Sequence, residues 1–356
     1  MNSKQRVRAA LAREISDRVP IDYMANPGID ARLKAHFGLA RDDDEGLRRA
    51  LHVDFRGVGP WYTGPKLHAD IPERGVLVDD WGNHRRWVEH PSGGYWDYCD
   101  FPLAEATEEQ VAAWPMPDPD QFDYSHVADD CGRMKEYGVC VGNAGVADII
   151  NGCSMLRGME QMLVDLITGE PAGLLLAKRR CDIWLGIVER TLDAAKGGID
   201  FLWIGEDLGT QIAPMISLDL YRQRLRPLHQ RFVDLAKCYG IPVMVHTCGS
   251  SSWVYDDFIE MGVSAVDTLQ PEAANMAPEY LKRRFGDHLA FHGCISTAGP
   301  VATGSVAETV ANCKSTLDIM ARGGGYMFSP THMLQDNSPT ENVLAMYQTA
   351  LDWRFS

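Results

Sequence analysis

One alternation restricts this chain more than any other feature of its sequence. From residue 138 onward, short runs rich in β-branched and small apolar residues trade places with longer stretches that carry charged faces. The runs lie at 139–144, 199–206, 241–246, 265–270, 289–295 and 325–329, and Gly or Asp marks the turns after them. Strands alternating with helices in this way predict βαβ units on a parallel sheet, because parallel neighbours need a long crossover. Two earlier runs, 18–23 and 53–58, bring the count to eight. Eight such strands close on themselves more naturally than they stay open, so the expected fold is an α/β (β/α)8 TIM barrel. No Gly-x-Gly-x-x-Gly follows a strand, which weakens a dinucleotide-binding sheet. At 356 residues the chain suits one barrel spanning 1–356.

Residues 60–137 break the pattern. They are rich in Pro, Trp, Tyr and Asp, as in Trp81-Gly82-Asn83-His84 and Tyr95-Trp96-Asp97-Tyr98. No linker isolates them, so they read as an excursion of small β elements over the barrel mouth. Their aromatics (Trp61, Tyr62, Trp81, Tyr95, Trp96, Tyr98) fit either a lid over a small substrate or anchors that fasten an irregular segment to the core. The 45% hydrophobic and 23% charged composition excludes a disordered chain or a fibre. A formal charge of −15 disfavours a nucleic-acid partner, which needs clustered Lys and Arg. The amino-terminal stretch lacks the apolar core of a signal peptide, and no apolar run is long enough to span a membrane. Nine scattered cysteines, an odd number, fit a reducing cytoplasm.

Barrel chemistry sits where strands end. The residues there are Asn143, Glu206 with Asp207, His246 with Cys248, Gln270, His292 with Cys294, and His332. His246-Thr247-Cys248-Gly249 is the sharpest signal: residues two apart on a strand share a face, so imidazole and thiolate project together. That pair suits zinc. By itself the same pattern also fits a core histidine beside a buried thiol. His332 after the last strand supplies a third ligand, and Glu206 or Cys294 a fourth. Glu206 and Asp207 fit an acid in catalysis equally well as a carboxylate pair at a helix N-terminus. His292 and Cys294 read as barrel fillers. Gly323-Gly324-Gly325 lacks the Lys-Ser/Thr of a phosphate loop and reads as a tight turn.

These segments resemble a known family. Arg6-Val-Arg-Ala-Ala-Leu, Asp17-Arg18-Val19-Pro20, Gly205-Glu206-Asp207-Leu208-Gly209-Thr210-Gln211, His246-Thr247-Cys248-Gly249, Gly323-Gly324-Gly325-Tyr326 and Pro339-Thr340-Glu341-Asn342-Val343 are similar to motifs of the uroporphyrinogen-decarboxylase-like superfamily. Within it, the chain most resembles the cobalamin-associated methyltransferases. The decarboxylases themselves carry an Arg-rich segment after the first strand; here that place reads Tyr23-Met24-Ala25-Asn26-Pro27-Gly28. The zinc-dependent methyltransferases follow His-x-Cys with a second cysteine after the last strand, and His332 stands near that place here. This departure favours an oxygen- or nitrogen-linked methyl group over a thiol.

The resemblance thus implies methyl transfer between a small methoxy- or methylamine-type compound and a corrinoid. The ion would be zinc, bound by His246, Cys248 and His332, with Glu206 as a further ligand. Glu206 or Asp207 would act as acid, while Asn143, Gln270, Tyr23 and Trp96 would hold the substrate. No Asp-x-His-x-x-Gly signature of a cobalamin module is present, so the corrinoid arrives on a partner protein. Relatives are commonly dimers, and a homodimer is compatible with this reading. The rival readings are a metal-independent decarboxylase of an acidic substrate and a binding protein without turnover.

Overall fold

The computed structural model describes residues 1–90 and 93–355. Seven strands form one parallel sheet: β1 (Phe55–Val58), β2 (Gly138–Gly142), β3 (Phe201–Gly205), β4 (Val243–Thr247), β5 (Ala265–Thr268), β6 (Ala290–Ile295) and β7 (Tyr326–Pro330). They lie side by side in chain order, with helices in the crossovers beyond β2, so the sheet curls in one direction. Its strands are buried on both faces, as sheets covered by helices require.

The expected strand at 18–23 is not a regular strand. It contributes an isolated parallel bridge from Ile21 to Phe328. Phe328 N–H donates to the Pro20 carbonyl at 2.8 Å, Asp22 N–H to the Phe328 carbonyl at 2.9 Å, and Asp54 N–H to the Ile21 carbonyl at 2.8 Å. The segment therefore touches β7 on one side and the residue before β1 on the other. It cannot build a ladder, because Pro20 has no N–H and the Ile21 N–H is diverted to the Asp54 carboxylate at 2.8 Å. Asp54 is fully buried and needs compensation, which Arg18 provides at 2.6 and 3.0 Å and Arg6 at 3.3 Å. Arg6 also holds Asp17 at 2.7 Å. The amino-terminal motif is thus an ion-pair knot that fixes the segment carrying Asp22.

The excursion holds a short antiparallel pair, Trp61–Tyr62 with Phe122–Asp123, and a three-stranded antiparallel sheet of Val76–Val78, His84–His90 and Gly93–Tyr98. Its aromatics fasten it to the helix Pro171–Ala195. Trp81 stacks on Trp184 at 5.2 Å, with the Arg180 guanidinium 4.5 Å over its ring. Of the two roles open to these aromatics, Trp81 takes the anchoring one. Among the described residues, no helix is long and apolar enough to cross a membrane.

Candidate active site

Two backbone loops create the site by touching. After β3 the chain runs Glu206-Asp207-Leu208-Gly209, and after β4 it runs Cys248-Gly249-Ser250. Ser250 N–H donates to the Thr210 carbonyl at 2.8 Å. A Cβ on Gly209 would lie 2.4 Å from Ser250 N, and one on Gly249 would lie 2.2 Å from the Gly209 carbonyl oxygen. Gly249 also has φ +69°, a region that disfavours side chains. Only glycine at both places lets the loops close. Their contact seats Asp207 beneath Cys248, whose N–H donates to Asp207 Oδ1 at 2.9 Å. The other Asp207 oxygen accepts from Asn151 Nδ2 at 2.8 Å.

His246 Nε2 then lies 3.4 Å from Cys248 Sγ and 3.7 Å from Asp207 Oδ1. Among the described residues, these three side chains form a group whose ligand atoms all lie within 4.8 Å of one another. Ligands on a tetrahedral zinc with bonds of about 2.0–2.3 Å stand roughly 3.5 Å apart, so imidazole, thiol and carboxylate here fit that ion. Three protein donors leave a fourth position for water or substrate, the arrangement of a catalytic rather than a structural zinc.

Behind His246 runs a buried chain of alternating acids and imidazoles. His246 Nδ1 donates to Asp267 Oδ2 at 2.6 Å; Asp267 Oδ1 accepts from His292 Nδ1 at 2.6 Å; and His292 Nε2 donates to Asp22 Oδ2 at 3.2 Å. Strand register explains it, since Asp267 is the Cα partner of both His246 and His292. Burial alone would lower the His292 pKa, but the Asp267 charge and the bonds to Asp22 and Asp267 outweigh it and raise the pKa to about 9. His246 is likewise raised against its burial, chiefly by Asp267. Asp267 stays well below the usual carboxylate range, despite burial, because of its two imidazoles. Burial pushes the Cys248 thiol up, and His246 opposes that.

Glu206 is not brought into this group. Its oxygens accept the N–H groups of Ile149 and Ile150, each at 2.9 Å, and a His229 Nε2 bond at 3.1 Å. It caps the helix Ile150–Arg157 from a buried position, where desolvation raises its pKa to about 8. Burial lowers His229 to about 4. The carboxylate-at-a-helix-start alternative thus describes Glu206, while Asp207 stands with His246 and Cys248. Asp148, unremarked in the sequence, sits near both; burial and their charges raise its pKa well above normal.

His332 stands outside the trio with its residue open to solvent at one edge but its ring partly desolvated; that desolvation, then the His246 charge, lowers its pKa. Cys294 is also kept apart. Its φ of +69° breaks the strand alternation with His292, and it is buried within range of Tyr255 and Tyr326. Gln270 is a positioning residue, accepting the Gly249 N–H at 2.8 Å. Asn143 is exposed and accepts the Gly145 N–H at 2.8 Å.

A cavity of about 630 Å³ has walls that include Asp22, Tyr23, Phe55, Phe201, Trp203 and Met244 together with the charged residues Asp44, Glu45 and Arg56, and no member of the trio lines it. Met244 precedes His246 by two residues on β4 and shares its face, so this wall of the cavity stands one same-face position away from the imidazole. Asn143 and Tyr23 both line it; Trp96 does not, and packs edge-on to Trp87 at 5.7 Å on an exposed hairpin. Asp207, Asp267 and Asp22 are the participants the sequence reading undervalued or missed.

Known proteins compare as follows. No curated protein sequence matches the chain significantly. A solved structure described as a methyltransferase from Methanosarcina mazei is 16% identical, with a TM-score of 0.63 and 99% of both chains covered. A 3-keto-D-glucoside 4-epimerase from E. coli and an L-ribulose 3-epimerase are each 14% identical, with TM-scores of 0.35 and 0.36. They cover 64% and 70% of this chain and 85% and 84% of their own. The family model for uroporphyrinogen decarboxylase (URO-D) matches residues 106–353, well over half of the sequence, and the chain belongs to that family.

Proposed function

We propose that the protein is a zinc-dependent methyltransferase that moves a methyl group between a small methoxy- or methylamine-type compound and a corrinoid carried by a partner protein. The observation that carries this reading is the close Asp207–His246–Cys248 group, with a cavity walled by both apolar and charged side chains reaching Met244 on the strand that bears His246. Likeness in fold to the Methanosarcina mazei methyltransferase supports it, as does the approach of residues 20–22 to both edges of the sheet, which we read as closing a (β/α)8 barrel. Zinc bound by these three residues supplies Lewis acidity toward the heteroatom that bears the methyl group. The chain's own residues do the rest. Asp267 fixes His246 so that Nε2 faces Cys248 and Asp207. Asn151 and the Cys248 N–H fix Asp207. Phe55, Phe201 and Trp203 exclude water from the body of the substrate.

Family membership favours one rival, a metal-independent decarboxylase. Metal content of protein purified without chelator or affinity tag separates the two. We expect about one zinc per chain in the wild type and in Glu206→Gln, and none in Cys248→Ala or Asp207→Asn. Methoxylated and methylamine donors with a reduced corrinoid should then lose their methyl groups only in the zinc-loaded forms. Absence of metal from every form after reconstitution with zinc would overturn the proposal in favour of the decarboxylase.

A further inference from the structure

Away from the metal-competent trio and its cavity, three helices of the layer that covers the sheet border a basic groove of about 510 Å³. Its floor is apolar, made by Leu166 of the helix Met159–Thr168, Leu174 of the helix Pro171–Ala195 and Leu228 of the helix Arg226–Cys238. Pro227 offers no N–H to the carbonyl four residues back. The turn before it, Tyr221–Leu225, widens to π-helical spacing, with the Arg226 N–H on the Tyr221 carbonyl. Arg224 on that turn, Leu228 and Arg231 then share one face, while His229, Phe232 and Val233 turn to the core. Opposite them, Asp182 accepts from Arg231 Nη1 and from Lys178 Nζ, each at 2.6 Å. Arg224 has no such partner. Its Nε is buried without a hydrogen bond, and among the described residues the guanidinium forms no ion pair. Gly169 makes room for it, since a Cβ there would lie 2.7 Å from Nη2. Glu170, the next residue, is exposed and forms no ion pair with it.

Lys178, Arg224 and Arg231 against the lone Asp182 leave the groove at +2, within a chain whose formal charge is −15. The molecule as a whole repels anions, so this groove is a local exception to its field. The C-terminal end of the helix Met159–Thr168 draws Arg224 toward Gly169 by its dipole, but no carbonyl there accepts a hydrogen bond from it. Burial has cost Nε its water without a replacement. The terminal amino groups remain accessible, and they fit two oxygens of one anion in parallel. From Arg224 to Arg231 the helix climbs about 10 Å, room for an apolar body beside the anion. Covering the three leucines favours such a body over a bare inorganic ion. We propose that this groove is a second binding site, for an amphipathic anion whose terminal phosphate or carboxylate sits on Arg224 and whose apolar body lies along Leu166, Leu174 and Leu228.

Calorimetric titration of the whole chain with octyl phosphate, octanoate, octan-1-ol and inorganic phosphate tests this, with the octyl compounds kept below their micelle concentrations. Both octyl anions should bind at least about tenfold more tightly than octanol or inorganic phosphate, because head and tail each contribute. The groove charge of +2 places octyl phosphate ahead of octanoate. Arg224→Gln should weaken both anions about tenfold or more, with the midpoint of thermal unfolding unchanged. Arg224→Lys should restore part of the loss. Leu228→Ser should weaken the octyl anions and leave inorganic phosphate as it was. Octanol binding as tightly as the anions, or anion binding indifferent to Arg224, would overturn the proposal. So would failure of the octyl anions to bind while Arg224→Gln turns a concentration-dependent dimer into a monomer, since the groove would then be a contact between two copies of this acidic chain.

Discussion

Asp267 contributes no ligand to the proposed ion, yet it determines which way His246 points. With its carboxylate held between two imidazoles at 2.6 Å each, it fixes the His246 ring and leaves Nε2 free toward Cys248 and Asp207. Asp267→Asn should lower zinc affinity about 10–100-fold, read by competition against a fluorescent chelator, with the fold intact by circular dichroism. The sequence carried a signal for this residue that was easy to pass over: a carboxylate inside the apolar run 265–270, on a strand between two others that each bear a His-x-Cys. Asp207 was legible too. Residues 203, 205 and 207 alternate onto one face, and Trp203 on that face lines the cavity, so Asp207 belongs to the mouth and Glu206 to the outside. What the sequence could not show is where Glu206 goes, because the N–H groups it caps are 56 and 57 positions away.

Among the elements, the touching loops after β3 and β4 are the most demanding. Gly249→Ala would force a Cβ to 2.2 Å from the Gly209 carbonyl oxygen at a φ of +69°. We expect it to destabilise the protein by about 2 kcal/mol or more in urea unfolding, and to reduce zinc content because Cys248 moves with the loop. Both glycines belong to motifs quoted from the sequence, but their mutual contact is a property of the packed pair. The same distinction explains the segment at 18–23. Its apolar run reads as a strand, and the side-chain carboxylate that takes the Ile21 N–H lies 33 residues further along. The six later strand runs each coincide with one of β2–β7: three contain their strand whole, while β2, β4 and β7 each overrun by one residue at an end. Helix-covered parallel strands are recognised from composition alone; an edge-bridging segment is not.

At the scale of the whole molecule, the buried acid–imidazole chain makes stability depend on pH. His292 has a pKa raised from 6.5 to about 9, so it favours the folded state fully below pH 6.5, and that contribution is lost as pH rises through 9. The shift corresponds to about 3 kcal/mol. Urea unfolding of the metal-free protein between pH 6 and 10 should show stability falling across that window, with a shallower slope in His292→Asn. Glu206, raised from 4.5 to about 8, adds a decline of the same sign between those values. The chain from His246 to Asp22 has a further consequence, because one end touches the trio and the other lines the cavity. A ligand that changes the protonation of Asp22 at one end would shift the charge on His246 at the other through these hydrogen bonds. By thermodynamic reciprocity, in the proposed zinc form whatever factor a cavity ligand applied to zinc affinity, zinc would apply to that ligand, so each dissociation constant would have to be stated with the concentration of the other partner.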